Sequence, residues 1–187
     1  MHLLRARAVW ILSMAIFLFP CPNTDAHVTR VEIISRADIL DGRAFGLAGA
    51  YEKLVGRVYF AVNPDNLRNR QIVDIDKAPR NAQGEVEFSA DLYLLKPKDM
   101  NKGNNAVLFE VSNRGGKGIL HIVDGYSPTS PDGEYGDGFL LREGYTVAWV
   151  GWEFDVADHG ENLKLYAPVA HDPGGKEIRG LVRSDFT

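Results

Sequence analysis

Apolar and polar residues alternate with a period of two through the first half of the chain. This alternation is typical of β-strands that bury one face, and it predicts strands over residues 28–37, 51–62 and 86–97. Turn-forming residues close the last two of these strands, at Pro64 and at Pro97. The first half of the chain is therefore expected to form antiparallel strands.

The second half carries continuous apolar runs instead. The runs "AVLFEV" (106–111) and "YTVAWVGW" (145–152) are typical of strands buried on both faces. Between them, a short helix is predicted to begin at Phe139 and to end at Gly144. A strand, a loop, a helix and a strand at this spacing predict a βαβ unit, with its two strands parallel.

Two further strands are expected over residues 163–170 and 177–186, the second without a closing turn. The whole pattern predicts an α/β fold in which N-terminal antiparallel strands lead into a βαβ unit. Since a parallel sheet with two covered faces needs more strands than this, we expect the fold to be incomplete at its C-terminus.

The N-terminus has the three parts of a secretory signal peptide. Arg5 and Arg7 precede an apolar run over residues 8–19, and a polar stretch then leads to a cleavage site after Ala26. The apolar run is too short to span a membrane. We therefore predict a signal peptide over residues 1–26 and a secreted or periplasmic mature chain over residues 27–187; a buried N-terminal helix is the alternative. Cleavage would remove the single cysteine, so no disulfide is expected.

Charge and motifs limit the partners of the chain. The 187 residues carry a formal net charge of −4 with no cluster of Lys and Arg, which argues against a nucleic-acid partner. No membrane partner is expected after signal cleavage. The chain has neither a G-x-G-x-x-G motif after a strand nor a P-loop, and no cofactor is predicted.

The glycine-rich stretch after residues 106–111 is the main candidate for chemistry. Asn113, Arg114, Gly115 and Gly116 form a close-set polar loop where an apolar strand stops. Glycines let backbone N–H groups converge on an anionic oxygen, as an oxyanion hole requires, whereas a simple Gly-Gly turn is the common alternative. Arg114 could add charge to such a site or pair with an acidic neighbour.

The segments "AVLFEVSNRGGKG" and "GDGFLLREGYTVAWVGWEFDV" together resemble the third strand, oxyanion loop, first helix and fourth strand of an α/β-hydrolase. With "AFGLAGAYEKLVGRVYFAVNP" and "VDIDKAPRNAQGEVEFSADLYLLKP", the chain resembles the N-terminal portion of a family of large secreted bacterial α/β-hydrolase-domain proteins. The resemblance implies a partial α/β-hydrolase-type sheet and a small-molecule ester or amide substrate. It also implies that one backbone N–H of residues 113–116 belongs to the oxyanion hole.

The nucleophile that such an enzyme needs is missing, because no G-x-S-x-G occurs in the chain. The nearest stretch is "GYSPT", residues 125–129. Ser127 is followed by Pro128, which has no backbone N–H to donate to an oxyanion, and Pro131 opposes the helix that should follow. Ser127 is therefore interpreted as a turn residue.

The other candidates are weaker. His121, His159 and His171 have no zinc-binding spacing, and the acidic stretch 155–161 lacks the spacing of a calcium loop, so no metal site is predicted. Trp152 and Glu153 follow the strand predicted over residues 145–152. Ligands of open α/β sheets gather at the carboxyl ends of strands, which places these two residues at the mouth of any pocket.

Two hypotheses follow from the sequence. In the first, the chain is the N-terminal part of a secreted serine hydrolase that supplies the oxyanion loop, lacks the nucleophile, acid and base, and is inactive alone. In the second, it is a secreted β-rich module whose glycine loop and aromatic rim bind an acidic or carbohydrate ligand.

Overall fold

The computed structural model describes residues 26–125, 129, 133–157 and 162–180. The predicted signal peptide lies outside the described residues except for Ala26. The strands are β1 (Ala26–Asp38), β2 (Ala44–Phe45), β3 (Gly49–Val62), β4 (Val86–Pro97), β5 (Val107–Glu110), β6 (Thr146–Val150) and β7 (Leu165–Tyr166), and the α-helices are α1 (Gly118–Val123) and α2 (Phe139–Arg142). Short 3-10 turns cover Leu40–Gly42, Gly46–Ala48, Leu67–Gln71, Ile75–Lys77, Met100–Lys102 and Gly133–Tyr135.

The strands form one mixed sheet in the order β1-β3-β4-β6-β5, with β2 paired to β3 and β7 paired to β4. Neighbouring strands are antiparallel except for β5 and β6, which are parallel. The parallel pair predicted from the sequence is therefore confirmed. The strands predicted over residues 28–37, 51–62 and 86–97 are confirmed as β1, β3 and β4.

The predicted fold class is wrong. The described chain is mostly β-sheet with two helices of six and four residues, and it lacks the βαβ units of a typical α/β-hydrolase-type sheet. Glycines explain the short helices, because Gly125, with a φ of 61°, lies just beyond α1 and Gly144, with a φ of 77°, lies just beyond α2. A residue in this left-handed conformation ends a helix, so neither helix can grow to cover the sheet.

Two other strand predictions need correction. Residues 106–111 were expected to be buried on both faces, but β5 is an edge strand, and Val107 and Phe109 are 64% and 54% exposed. The strand predicted over residues 163–170 shortens to the two residues of β7, since Pro168 cannot donate to a ladder. The strand predicted over residues 177–186 lies largely outside the described residues.

The main core lies on the face of the sheet that carries α1 and α2. Tyr93 and Trp149 are neighbours across β4 and β6, and their rings meet edge to face with centroids 5.4 Å apart. Leu120 of α1 and Leu141 of α2 are buried in the same cluster. Apolar burial of this kind is the main stabilising term, so the core fixes the helices and the loops between β5 and β6. Within the described residues, no helix is long and apolar enough to span a membrane.

Candidate functional site

The glycine loop is a tight turn at the carboxyl end of β5. The N–H of Gly116 donates to the carbonyl of Asn113 at 3.1 Å, and the two residues between them, Arg114 and Gly115, have φ values of 51° and 75°. Two central residues with positive φ are characteristic of a type I′ turn. The turn therefore occupies the N–H of Gly116, which is not available to a ligand in this conformation.

Gly115 and Gly116 have different roles in this turn. The carbonyl of Gly115 accepts the N–H of Leu163 at 3.0 Å, and a Cβ at Gly115 would lie 2.6 Å from the carbonyl oxygen of Leu163. A Cβ at Gly116 would come no closer than 3.4 Å to the carbonyl oxygen of Asn113. Glycine at position 115 is thus required by both its backbone conformation and its surroundings, whereas position 116 has room for a side chain.

The N–H of Gly115 differs from that of Gly116 because the turn does not use it. Gly115 is buried, and its N–H donates to no group among the described residues. Buried backbone donors are almost always hydrogen-bonded, and an exception at a loop beside a cavity is a candidate for ligand binding. The two sequence-based interpretations, a turn and an N–H donor, are compatible here, because the turn uses the N–H of Gly116 and leaves the N–H of Gly115 without a partner among the described residues.

Arg114 pairs with an acidic neighbour. Its Nη1 lies 2.7 Å from Oδ1 of Asp155, and its Nη2 donates to the Asp155 carbonyl at 2.9 Å. The hydrogen bond from Arg114 lowers the pKa of the Asp155 carboxyl, and the same bond raises the pKa of Arg114. Both side chains are exposed, so the pair is screened by solvent and serves mainly to connect the turn to the loop after β6.

Trp152 and Glu153 lie beside the same turn. The indole N–H of Trp152 donates to the carbonyl of Ser112, and the ring remains 53% exposed. The carbonyl of Glu153 accepts the N–H of Leu165 at 3.0 Å, while its Oε2 is buried and has no partner among the described residues. The structure thus brings all six residues singled out from the sequence to one end of the β5–β6 pair.

Glu110 organises the base of this region and was not singled out from the sequence. Its Oε2 accepts the N–H of Ile119 at 3.0 Å and the indole N–H of Trp149. The carboxylate therefore joins the end of β5 to the first turn of α1 and to β6. A charged residue at the end of an otherwise apolar strand was the signal for it.

A cavity of about 200 Å³ opens next to the turn, lined by Gly116, Lys117, Leu120, Glu134 and Asn162. Tyr93 holds two of these side chains. The Lys117 ammonium lies 4.7 Å from the centroid of the Tyr93 ring, and the Tyr93 hydroxyl donates to Oε1 of Glu134 at 3.1 Å. The glycine-loop pocket, as we call this cavity, therefore presents an ammonium, a carboxylate and a carboxamide above an apolar base.

Several residues discussed from the sequence lie outside the described part of the chain, namely Ser127, Asp158, His159 and Glu161. His121 lies on α1, and His171 forms an isolated bridge with Glu177. Among the described residues, no three His, Cys, Asp or Glu side chains come together as a metal site would require.

No family model, no curated protein and no solved structure matches the chain. The resemblance to secreted hydrolases therefore stays a prediction.

Proposed function

We propose that this chain supplies the oxyanion-binding part of a secreted serine hydrolase that transfers acyl groups from ester or amide substrates. The observation that carries the proposal is the buried N–H of Gly115, which has no partner in the described chain and lies at the carboxyl end of β5 beside the glycine-loop pocket. The proposal depends on this site and not on the fold class.

The chemistry follows from where charge develops. When a nucleophile attacks an ester, the carbonyl oxygen becomes an oxyanion, and a fixed N–H directed at it stabilises the transition state more than the ground state. Gly115 is fixed by its hydrogen bond to Leu163 and by close backbone contact, so its N–H needs no reorganisation during the reaction. Lys117 and Asn162 would contact the remainder of the substrate in the pocket.

The proposal requires a nucleophile from polypeptide outside these 187 residues, because the chain contains no G-x-S-x-G. In serine hydrolases of this kind, the N–H of the residue after the nucleophile completes the oxyanion hole. The 187-residue chain alone should therefore neither hydrolyse p-nitrophenyl butyrate nor react with a fluorophosphonate.

Active-site labelling tests this proposal. The protein is isolated from its native source with an antibody against residues 27–125 and treated with a fluorophosphonate probe, and its peptides are then analysed by mass spectrometry. We expect one phosphonylated serine on a peptide that does not come from these 187 residues, and no labelling after heat denaturation. An unlabelled native protein, under conditions that label a lipase control, would contradict the proposal.

A second candidate function is carbohydrate binding, which the exposed Trp152 ring and the mixed donors and acceptors of the glycine-loop pocket favour. Aromatic faces and polar side chains of both kinds are what a neutral sugar contacts. In that case the chain alone would bind an oligosaccharide saturably, with a change in tryptophan fluorescence that Trp152→Ala abolishes. The hydrolase proposal predicts no such binding by the chain alone.

A further inference from the structure

Arg114 has a backbone conformation that an ordinary side chain disfavours. Its φ of 51° lies in the left-handed region. Of the five non-glycine residues with a positive φ in the described part of the chain, three are Asp or Asn, whose short polar side chains tolerate it. For an arginine, the left-handed region is disfavoured about tenfold. Such a conformation persists only where neighbouring contacts hold it, and residues of this kind cluster at functional sites.

The contacts that hold Arg114 come from the segment after β6, residues 151–155, which we call the β6 loop. Nη1 of Arg114 lies 2.7 Å from Oδ1 of Asp155, and Nη2 donates to the carbonyl of the same residue at 2.9 Å. Two bonds from one guanidinium to one residue fix direction as well as distance. An exposed ion pair alone contributes at most about fivefold, which is less than the cost of the left-handed conformation, so the bond to the carbonyl is needed as well.

A second contact from the β6 loop holds the start of the turn. The indole N–H of Trp152 donates to the carbonyl of Ser112, a fully buried residue. The β6 loop is itself attached to the sheet, because the carbonyl of Glu153 accepts the N–H of Leu165 of β7 at 3.0 Å. The position of the sheet is therefore transmitted through the β6 loop to the turn.

These contacts determine the direction of the Gly115 N–H. The peptide between Arg114 and Gly115 carries that N–H, so its orientation changes with the φ and ψ of Arg114. On the other side of the residue, the carbonyl of Gly115 accepts the N–H of Leu163 at 3.0 Å. The Leu163 bond fixes one side of Gly115, and the orientation of the peptide that carries the N–H depends on the β6 loop.

We infer that Asp155 and Trp152 are positioning residues of the oxyanion site. Asp155 keeps Arg114 left-handed, and Trp152 keeps the carbonyl of Ser112 in place. Together they hold the N–H of Gly115 in its unpartnered orientation beside the glycine-loop pocket. Both act through the turn and not on the substrate. The effect on catalysis rests on the proposed function, whereas the effect on the backbone does not.

Nuclear magnetic resonance of the purified chain tests the effect on the backbone, since the HN–Hα coupling and the Cα chemical shift of Arg114 report its φ. Asp155→Ala removes the carboxylate, and Trp152→Phe keeps an aromatic ring without the indole N–H. Each variant should lower the ratio of left-handed to other conformers at Arg114 about fivefold, because each loses a hydrogen bond that holds the turn. Phe154→Leu, at an exposed position of the same loop, is the matched control and should leave the ratio unchanged.

The same variants of the full-length enzyme test the effect on catalysis. Asp155→Ala and Trp152→Phe should each lower kcat for p-nitrophenyl butyrate about fivefold and leave KM nearly unchanged, because a misdirected N–H stabilises the transition state less. Phe154→Leu should keep both constants. Adding Arg114→Asn to Asp155→Ala should recover most of the lost kcat, since Asn tolerates the left-handed conformation.

The two measurements separate this inference from the proposed function. If a fluorophosphonate does not label the full-length protein, the hydrolase proposal is wrong, and the conformer ratio at Arg114 still decides the positioning role. The inference is wrong if Arg114 stays left-handed in both variants or if Phe154→Leu lowers the ratio equally. It is also wrong if the variants of an active enzyme raise KM and keep kcat.

Discussion

The two cavities of this protein are built in different ways. The glycine-loop pocket is fixed mainly by the backbone. Its turn has two left-handed residues, and Gly115 lies in close contact with the backbone of Leu163. At the end of β5, the Glu110 carboxylate accepts the N–H of Ile119. The other cavity, which has a volume of about 310 Å³ and is called the apolar cavity here, is fixed by side-chain burial and ring stacking around Val62, Val86 and Phe88. Substitutions at the first should therefore have large effects that depend on geometry, while the second should tolerate changes that conserve volume.

One segment connects the two regions. Leu163 packs on Gly115, and Lys164 and Leu165 pair with β4. Three residues that follow in the same segment, Ala167, Pro168 and Ala170, line the apolar cavity. Only Leu165 and Tyr166 of this connecting segment, residues 163–170, form a strand, so the position of the segment depends on these separate contacts. Substitutions placed along it, and on the groups that hold it, distinguish the two regions.

The largest effect is expected at Gly115. Gly115→Val forces a β-branched side chain into a left-handed conformation and into the backbone of Leu163, and should lower the free energy of unfolding by about 3 kcal/mol. Thermal and urea unfolding followed by circular dichroism would measure the loss.

Gly116→Ala is the matched control for this prediction. Its Cβ would lie 3.4 Å from the Asn113 carbonyl, and its φ is outside the left-handed region, so a change below about 1 kcal/mol is expected. Equal destabilisation by the two substitutions would show that the contact between Gly115 and Leu163 does not fix the turn.

The next effect is expected at Glu110. Glu110→Ala leaves the buried N–H of Trp149 and the N–H of Ile119 without their shared acceptor, which should cost about 2 kcal/mol. Glu110→Gln keeps one acceptor oxygen and should cost less. Urea unfolding gives both values, and the tryptophan emission of the folded Ala variant should shift as the indole loses its partner. Full stability of the Ala variant would contradict this assignment.

A smaller effect is expected at Asp91, which holds the middle of the connecting segment. Its carboxylate accepts from Arg57 at 3.0 Å, from the N–H of Lys164 at 3.0 Å and from the Tyr166 hydroxyl at 3.2 Å. Asp91→Asn weakens these bonds but keeps the backbone pairing with Lys164, so a loss of about 1 kcal/mol is expected. Hydrogen exchange should then be faster in residues 163–166 but unchanged in residues 113–116.

The sequence predicted those features that local patterns determine. The alternation of residues identified β1, β3 and β4, and the glycine cluster with Trp152 and Glu153 identified one end of the β5–β6 pair. It did not predict that β5 is exposed at an edge, because exposure depends on the strand order and not on the residues of that strand.

The remaining site residues were not predictable because distant segments bring them together. Lys117 and Glu134 meet through the ring of Tyr93, and Asn162 arrives from beyond β6. The different requirements at Gly115 and Gly116 likewise depend on Leu163, which no local pattern connects to the glycine loop.

The smallest effect, and one that depends on pH, is expected at Asp124, whose backbone N–H donates to the carbonyl of Leu120, a residue of the glycine-loop pocket. Asp124 follows α1, its Oδ1 accepts the N–H of Leu140 at 3.0 Å, and its Oδ2 is buried with no partner among the described residues. Burial raises the pKa of Asp124 above its ordinary value, and the nearby Asp137 carboxylate raises it further, against the opposing effects of the Leu140 N–H and of Arg142. The folded protein therefore favours the protonated carboxyl. This preference stabilises the fold fully below the unfolded pKa, and the stabilisation is lost as the pH rises through the folded pKa.

Asp124→Asn keeps an acceptor for Leu140 and cannot ionise. Its stability should equal that of the unsubstituted protein in acid and exceed it by up to about 1 kcal/mol at neutral pH, because the variant avoids the cost of a buried charge. Urea unfolding of both proteins between pH 4 and pH 8 measures the difference, with Asp137→Asn as a control for the neighbouring charge. A variant that loses stability relative to the unsubstituted protein as the pH rises would show that the ionised Asp124 carboxylate is itself stabilised by a partner.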